Sequence, residues 1–265
     1  MYLAGNHTFY GGHISKISIE LHRVAKDLGM HLLDNSSVTF NDPHASGPDH
    51  EVRLIGATLW TDFRLFGNDP ESISKSMHHA KNYISDFSCI TFGSTGWMTP
   101  ADSVKLFNVS AQYIADELDK PFAGKTVVVT HHLPSRKSVA ARFAKDYSSA
   151  AFASHLDHLV VKSDLWIHGH THDSFDYLIA DGPRQPGWIC TRCSAGGTML
   201  TMSSTYHSGT CAFCGRKNVD VTNSQDFRLP SKPVRGRVVC NPRGYPIFGM
   251  EVENRQFQDD LVIEV

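Results

Sequence analysis

Apolar positions along this chain alternate between two periods. Ile14, Ile17, Leu21, Val24 and Leu28 recur at helical spacing with Gly29 behind them as a stop, which predicts a helix over 14–28. A β segment follows from Val52 to Trp60. Thr99-Pro100-Ala101-Asp102 reads as an N-cap, a proline at the first helical position and an acid in the first turn. Val104, Phe107, Ala111, Ile114 and Leu118 then form one face of the helix it opens. Thr126 to Thr130 and Leu165 to Ile167 are short β-branched and apolar runs that read as buried strands, with a helix over 148–161 between them. Arg237 to Cys240 reads as a further strand, Asn241 to Tyr245 as a turn, and Leu261 to Val265 as a final strand. The Met77-His78-His79 run falls in a helix and reads as surface. This alternation predicts an α/β layered fold.

Between residues 181 and 236 the texture changes. Periodicity vanishes, and Pro, Gly, Ser, Thr and Cys dominate. The segment reads as an insertion into a domain formed by 1–180 and 237–265. Within it Cys190, Cys193, Cys211 and Cys214 form two CxxC pairs, a spacing that reads as a structural zinc site with four thiolates closing a tetrahedron. So short a segment needs such a staple because it cannot build a core of its own. Arg192, Arg216 and Lys217 are its nearest cations, so charge does not mark it for nucleic acid. Cys89 and Cys240 stand alone and read as small core residues.

Composition narrows the class. With 41% hydrophobic and 20% charged residues and a net charge of −2, nothing draws the chain to nucleic acids or membranes in general. No apolar run approaches the roughly 18 residues of a membrane span. Residues 1–12 lack the basic and apolar regions of a signal peptide. The expected compartment is the cytoplasm, where zinc explains paired CxxC motifs better than disulfides do.

Candidate chemistry lies at three strand ends. Gly5-Asn6-His7 follows Tyr2-Leu3-Ala4, His131-His132 follows the strand ending at Thr130, and Gly169-His170-Thr171-His172 follows Leu165-Trp166-Ile167. Ligands bind beyond the carboxyl ends of strands in open α/β sheets. Neutral imidazole and amide oxygen both suit a divalent transition metal. Each motif also has a plainer reading. Asn6 alone could serve in a turn, the histidine pair could be loop residues, and His132 and His168 read better as packing histidines than as ligands.

The order GNH, HH, GHTH resembles the calcineurin-like metallophosphoesterase superfamily. Similarity to its bacterial members extends through Gly124 to Ser135 and through Trp166 to Tyr177, and includes the turn Asn241 to Tyr245. The resemblance implies an α/β fold of four layers, α/β/β/α, in which two mixed sheets are flanked by helices. It implies two metal ions, each Mn, Fe or Zn, at the sheet edge. Asn6, His131 and His170 would hold one ion and His172 would belong to the other. His7 would bond the phosphate or protonate the leaving oxygen, and the substrate would be a phosphomonoester or phosphodiester.

The chain departs from that pattern at its start. The family's Asp-x-His and Gly-Asp segments, which would supply further ligands and the carboxylate between the metals, do not precede Gly5-Asn6-His7 here. Thr8 stands where an acidic residue usually follows the GNH. The expectation is an N-terminally truncated domain. A longer true protein, a separately encoded N-terminal piece and a repurposed non-hydrolytic protein are its three open explanations. The functional expectation is a metal-dependent phosphoester hydrolase. The alternative is a catalytically inactive fragment or binding protein that uses the zinc module for a protein or nucleic-acid partner.

Overall fold

The helical stripe opened by Ile14 folds as expected, and its two ends show why it stops where it does. In this computed structural model residues 1–41, 50–94, 96–180, 187–189, 196–198, 235–244, 253–254 and 256–263 are described. A two-residue strand β1 (Gly12–His13) leads into α1 (Ile14–Asp27). His13 caps α1: its Nδ1 accepts from the Ser15 N–H at 3.2 Å, so its Nε2 carries the proton and donates to the Gly93 carbonyl at 2.7 Å. At the other end Gly29 has a φ of 63°. The Gly29 N–H bonds the Lys26 carbonyl at 3.2 Å and the Met30 N–H bonds that of Ala25 at 2.8 Å. Those are the paired bonds of a Schellman stop.

β2 (Ser36–Asn41) pairs antiparallel with β3 (Glu51–Ala57). The expected β segment runs to Trp60, but the strand ends at Ala57, where Leu59 and Trp60 turn to φ of 76° and 63°. Both are buried, as is every residue from Ile55 to Thr61. A continuous buried run looks like one strand to sequence inspection whether it stays extended or turns.

Next come α2 (Pro70–Tyr83), capped by Asp69, the short α3 (Asp86–Cys89), β4 (Ile90–Phe92) and β5 (Gly96–Trp97). α4 (Pro100–Asp119) starts at the expected N-cap Thr99, which forms a full capping box, with the Asp102 N–H bonded to Thr99 Oγ1 at 3.3 Å and the Thr99 N–H to Asp102 Oδ2 at 3.0 Å. Thr99→Ala is expected to lower stability by about 1 kcal/mol in urea unfolding. No measurable change would mean that tertiary packing alone sets this helix start.

β6 (Lys125–Thr130) is followed by a segment of 3-10 turns. The expected helix over 148–161 is broken into a turn at Tyr147–Ala151 and the short α5 (Asp157–Val160). Leu133 breaks it. Its N–H bonds the Phe152 carbonyl at 2.9 Å and its carbonyl accepts from Ser154 at 3.1 Å, taking the backbone groups a continuous helix would use.

β7 (Leu165–His168), β8 (Phe175–Ala180) and β11 (Arg235–Cys240) complete a six-stranded sheet in the order β2-β3-β6-β7-β11-β8. β3, β6, β7 and β11 run parallel in sequence. A second sheet has the order β1-β4-β5, with β1 parallel and β5 antiparallel to β4. The architecture is therefore α/β, with two mixed sheets and helices. The central strands are apolar on both faces, as parallel strands are when both sides are covered. Ile55, Val128, Trp166 and Val238 join the main core, while Val127, Leu165 and Val239 pack with Val52, Leu54 and Ile167.

The expected first strand, Tyr2 to Ala4, is only a single parallel bridge between Tyr2 and Leu32. Residues 261–263 form no strand. Among the described residues no helix is long and apolar enough to cross a membrane.

The chain divides into two units, Met1–Ile179 with Arg235–Val265, and Ala180–Val234. In the second, β9 (Gly187–Ile189) pairs antiparallel with β10 (Gly196–Thr198). Cys190, Cys193, Cys211 and Cys214 lie outside the described residues.

Candidate metal centre

Parallel register delivers the motifs to one place. Thr130 of β6 lies opposite His168 of β7, so the chain leaves both strands side by side and the Gly169 N–H bonds the His131 carbonyl at 3.1 Å. Ala57 of β3 lies opposite Thr130, which puts Thr58 beside His131. Thr58 Oγ1 then donates to the Ala4 carbonyl at 2.9 Å and ties the segment before Gly5 to the same edge.

Three donor atoms meet there. His131 Nε2 lies 2.8 Å from Asn6 Oδ1 and 3.0 Å from His170 Nδ1. The Asn6 amide is oriented by the buried Asp86 carboxylate, which accepts from Nδ2 at 2.7 Å and also from the Tyr10 hydroxyl at 2.7 Å. A carboxylate next to the amide nitrogen leaves the amide oxygen facing His131.

Gly5 makes the approach of His131 possible. A Cβ there would stand 2.6 Å from His131 Cε1 and 2.8 Å from its Nδ1. His170 sits at a φ of 64°, a conformation uncommon for a residue with a side chain. Its Nε2 is buried with no hydrogen-bond partner among the described residues, and its ring centroid is 4.3 Å from that of Phe152.

Burial is the largest influence holding the His131 and His170 pKa values well below 6.5, and neighbouring imidazoles add to it. Both rings are thus neutral at neutral pH, the form that ligates metals. The spacing fits as well. Ligand atoms about 2.05 Å from an ion and at right angles to each other lie about 2.9 Å apart. Two imidazoles and an amide oxygen make a donor set suited to Zn, Mn or Fe. Among the described residues, no three His, Cys, Asp or Glu side chains are grouped so as to hold a metal by themselves. The cluster here reaches three donors only through the amide.

The remaining candidates take other places. His172 Nδ1 is 2.9 Å from Glu253 Oε2 and so meets a carboxylate. His7 is exposed one residue beyond Asn6, with its ring centroid 4.4 Å from that of Tyr10. His132 is buried and its Nδ1 lies 2.9 Å from the Thr58 carbonyl, with its ring 5.2 Å from that of Trp60. The Trp166 indole N–H reaches Thr130 Oγ1 at 2.9 Å, and Thr130 donates to the His132 carbonyl at 2.8 Å, which pins the start of this loop. His168 is buried and bonds Ser138 Oγ at 2.7 Å.

Sequence inspection missed Asp86, Tyr10 and the Thr58–Trp60 turn. Asp86 sits far from every motif, and no spacing rule marks it. The turn was hidden in what reads as a strand.

No model of a known protein family matches this chain, and no match was found among curated proteins or among solved structures.

The buried histidines predict an acid-sensitive fold. His131, His132, His168 and His170 have folded pKa values below 6.5, and that of His168 is pushed down by burial to about 4. The unfolded chain titrates these rings near 6.5, so below that pH it binds more protons than the folded chain and stability falls. His168 alone removes about 2 kcal/mol between pH 7 and pH 5. A melting temperature that declines steadily over this range is expected, and a flat profile would contradict the burial of these rings as neutral groups.

Proposed function

We propose that this chain is a divalent-metal-dependent phosphoester hydrolase of the calcineurin-like metallophosphoesterase type, with the four-layer α/β/β/α arrangement of that family. The observation that carries the reading is the meeting of Asn6 Oδ1, His131 Nε2 and His170 Nδ1, contributed by three motifs far apart in sequence. In this reading the three atoms hold one ion and His172 serves a second. The four-cysteine module of 181–236 binds a structural zinc. Asn6, His131 and His170 would hold a divalent ion, which would supply positive charge for a phosphate oxygen and for activating water.

The chain's own residues prepare the site. Asp86 fixes the Asn6 amide so that its oxygen rather than its nitrogen is presented. Burial keeps His131 and His170 in the neutral form, in which each ring keeps one nitrogen lone pair. In this reading His7, which is exposed and adjacent to Asn6, would donate to a phosphate oxygen or to the leaving oxygen.

The test is hydrolysis of bis(p-nitrophenyl) phosphate with added manganese, by the 265-residue chain and by its His170→Ala variant. Metal-dependent turnover is expected in the first. In the variant it should fall by more than the roughly 10–100-fold lost when only a hydrogen-bond partner of a ligand is removed. Equal rates, or no rate from folded protein, would overturn the hydrolase reading and leave a binding role.

A further inference from the structure

His170 is the apex of a three-residue turn. Its φ is 64°, and the Thr171 N–H bonds the Gly169 carbonyl across it at 2.8 Å. Turns of this kind with positive φ at the central residue are rare and strained. Such strain persists only where the surroundings over-determine the conformation.

Here a second bond fixes the same carbonyl. His168 Nδ1 lies 3.0 Å from Gly169 O. A carbonyl oxygen can only accept, so Nδ1 carries the proton and Nε2 offers a lone pair. Ser138 Oγ donates to that lone pair at 2.7 Å, and the Tyr177 hydroxyl, 2.6 Å from Ser138 Oγ, donates in turn to Ser138. The bonds therefore run in one direction, from Tyr177 through Ser138 and His168 to the Gly169 carbonyl. Ser138 is 0% exposed and His168 4%, so the bond between them is shielded from water. Ser138 belongs to the segment just past His131-His132, and Tyr177 belongs to β8. The chain of bonds thus joins the two loops that carry His131 and His170.

We infer that His168 is a positioning residue, whose bond to the Gly169 carbonyl, backed by Ser138 and Tyr177, holds the strained turn that aims His170 Nδ1 at His131 Nε2. Its consequence for metal binding rests on the reading of His170 as a ligand, whereas the turn itself does not.

Two substitutions separate this role from simple core packing. His168→Asn keeps an N–H where Nδ1 now sits, and His168→Leu fills the space with none. The first readout is hydrogen exchange of the Thr171 amide in metal-free protein, and the second is Mn2+ affinity by calorimetry. Thr171 exchange is expected to accelerate about tenfold in His168→Leu and to stay within about threefold of the parent in His168→Asn. Mn2+ affinity should fall about 10–100-fold in His168→Leu alone. Should His168→Leu fail to fold, Ser138→Ala carries the comparison, with an expected rise of about threefold in Thr171 exchange. Equal exchange in the parent and the folded variants, or equal acceleration in Asn and Leu, overturns the proposal. The expected exchange pattern with no Mn2+ binding by the parent upholds the turn and overturns only the metal reading.

Discussion

On the proposed metal reading, Gly5→Ala should abolish stabilisation by Mn2+ while leaving the fold standing. Gly5 has φ −88° and ψ 170°, an extended conformation that alanine adopts without strain. The cost is therefore steric and local. The new methyl group would meet His131 at 2.6 Å from Cε1, 2.8 Å from Nδ1 and 3.0 Å from Nε2. The ring is held at its far end, because its Nε2 is bonded towards Asn6 and His170. Overpacking of this kind costs about 1–3 kcal/mol, and here it acts by displacing the His131 ring from Asn6 and His170. Thermal melts with and without manganese would show a metal-dependent rise for the parent and almost none for Gly5→Ala. An equal rise in both would mean that His131 does not hold the ion.

Asp86→Ala should be the most destabilising polar substitution in the site. The carboxylate is 2% exposed and accepts from both Asn6 Nδ2 and the Tyr10 hydroxyl. Its removal takes away the acceptor that both donors use, and each such loss in a buried site costs about 1–3 kcal/mol. A total of about 3 kcal/mol is expected from urea unfolding. The amide is also freed to rotate, which would turn its NH2 rather than its oxygen towards His131. Asp86→Asn keeps an acceptor oxygen and should recover much of the stability. A loss below about 1 kcal/mol in Asp86→Ala would show that the Asn6 orientation is set elsewhere.

Local chemistry explains what could be read in advance. The α1 stripe with Gly29 behind it and the Thr99 N-cap of α4 are signals contained within a few residues, and both fold as read. The strands before His131 and His170 are equally local. Their parallel register, with Thr130 opposite His168, is what makes two distant motifs neighbours. Asn6 joins them without the strand its flanking residues suggested, since Tyr2 makes only one bridge and Thr58 supplies the tether.

What stayed hidden depends on long-range contacts. Leu59, Trp60 and Phe63 all have positive φ, yet large apolar residues are the last that sequence reasoning would place there. Their burial supports a backbone that their local preference opposes. The break at Phe152 and Ala153 comes from pairing with Leu133, about twenty residues upstream, which periodicity within 148–161 cannot register. Asp86 is one acid among the 27 Asp and Glu of the chain, and only the fold brings it to Asn6.

The most direct measurement is anomalous diffraction from crystals soaked in manganese. One anomalous peak bonded by Asn6 Oδ1, His131 Nε2 and His170 Nδ1 together is the predicted result. A map without density at that position, with the Asn6–His131 contact still at its 2.8 Å spacing, would contradict the assignment of these residues as a metal centre.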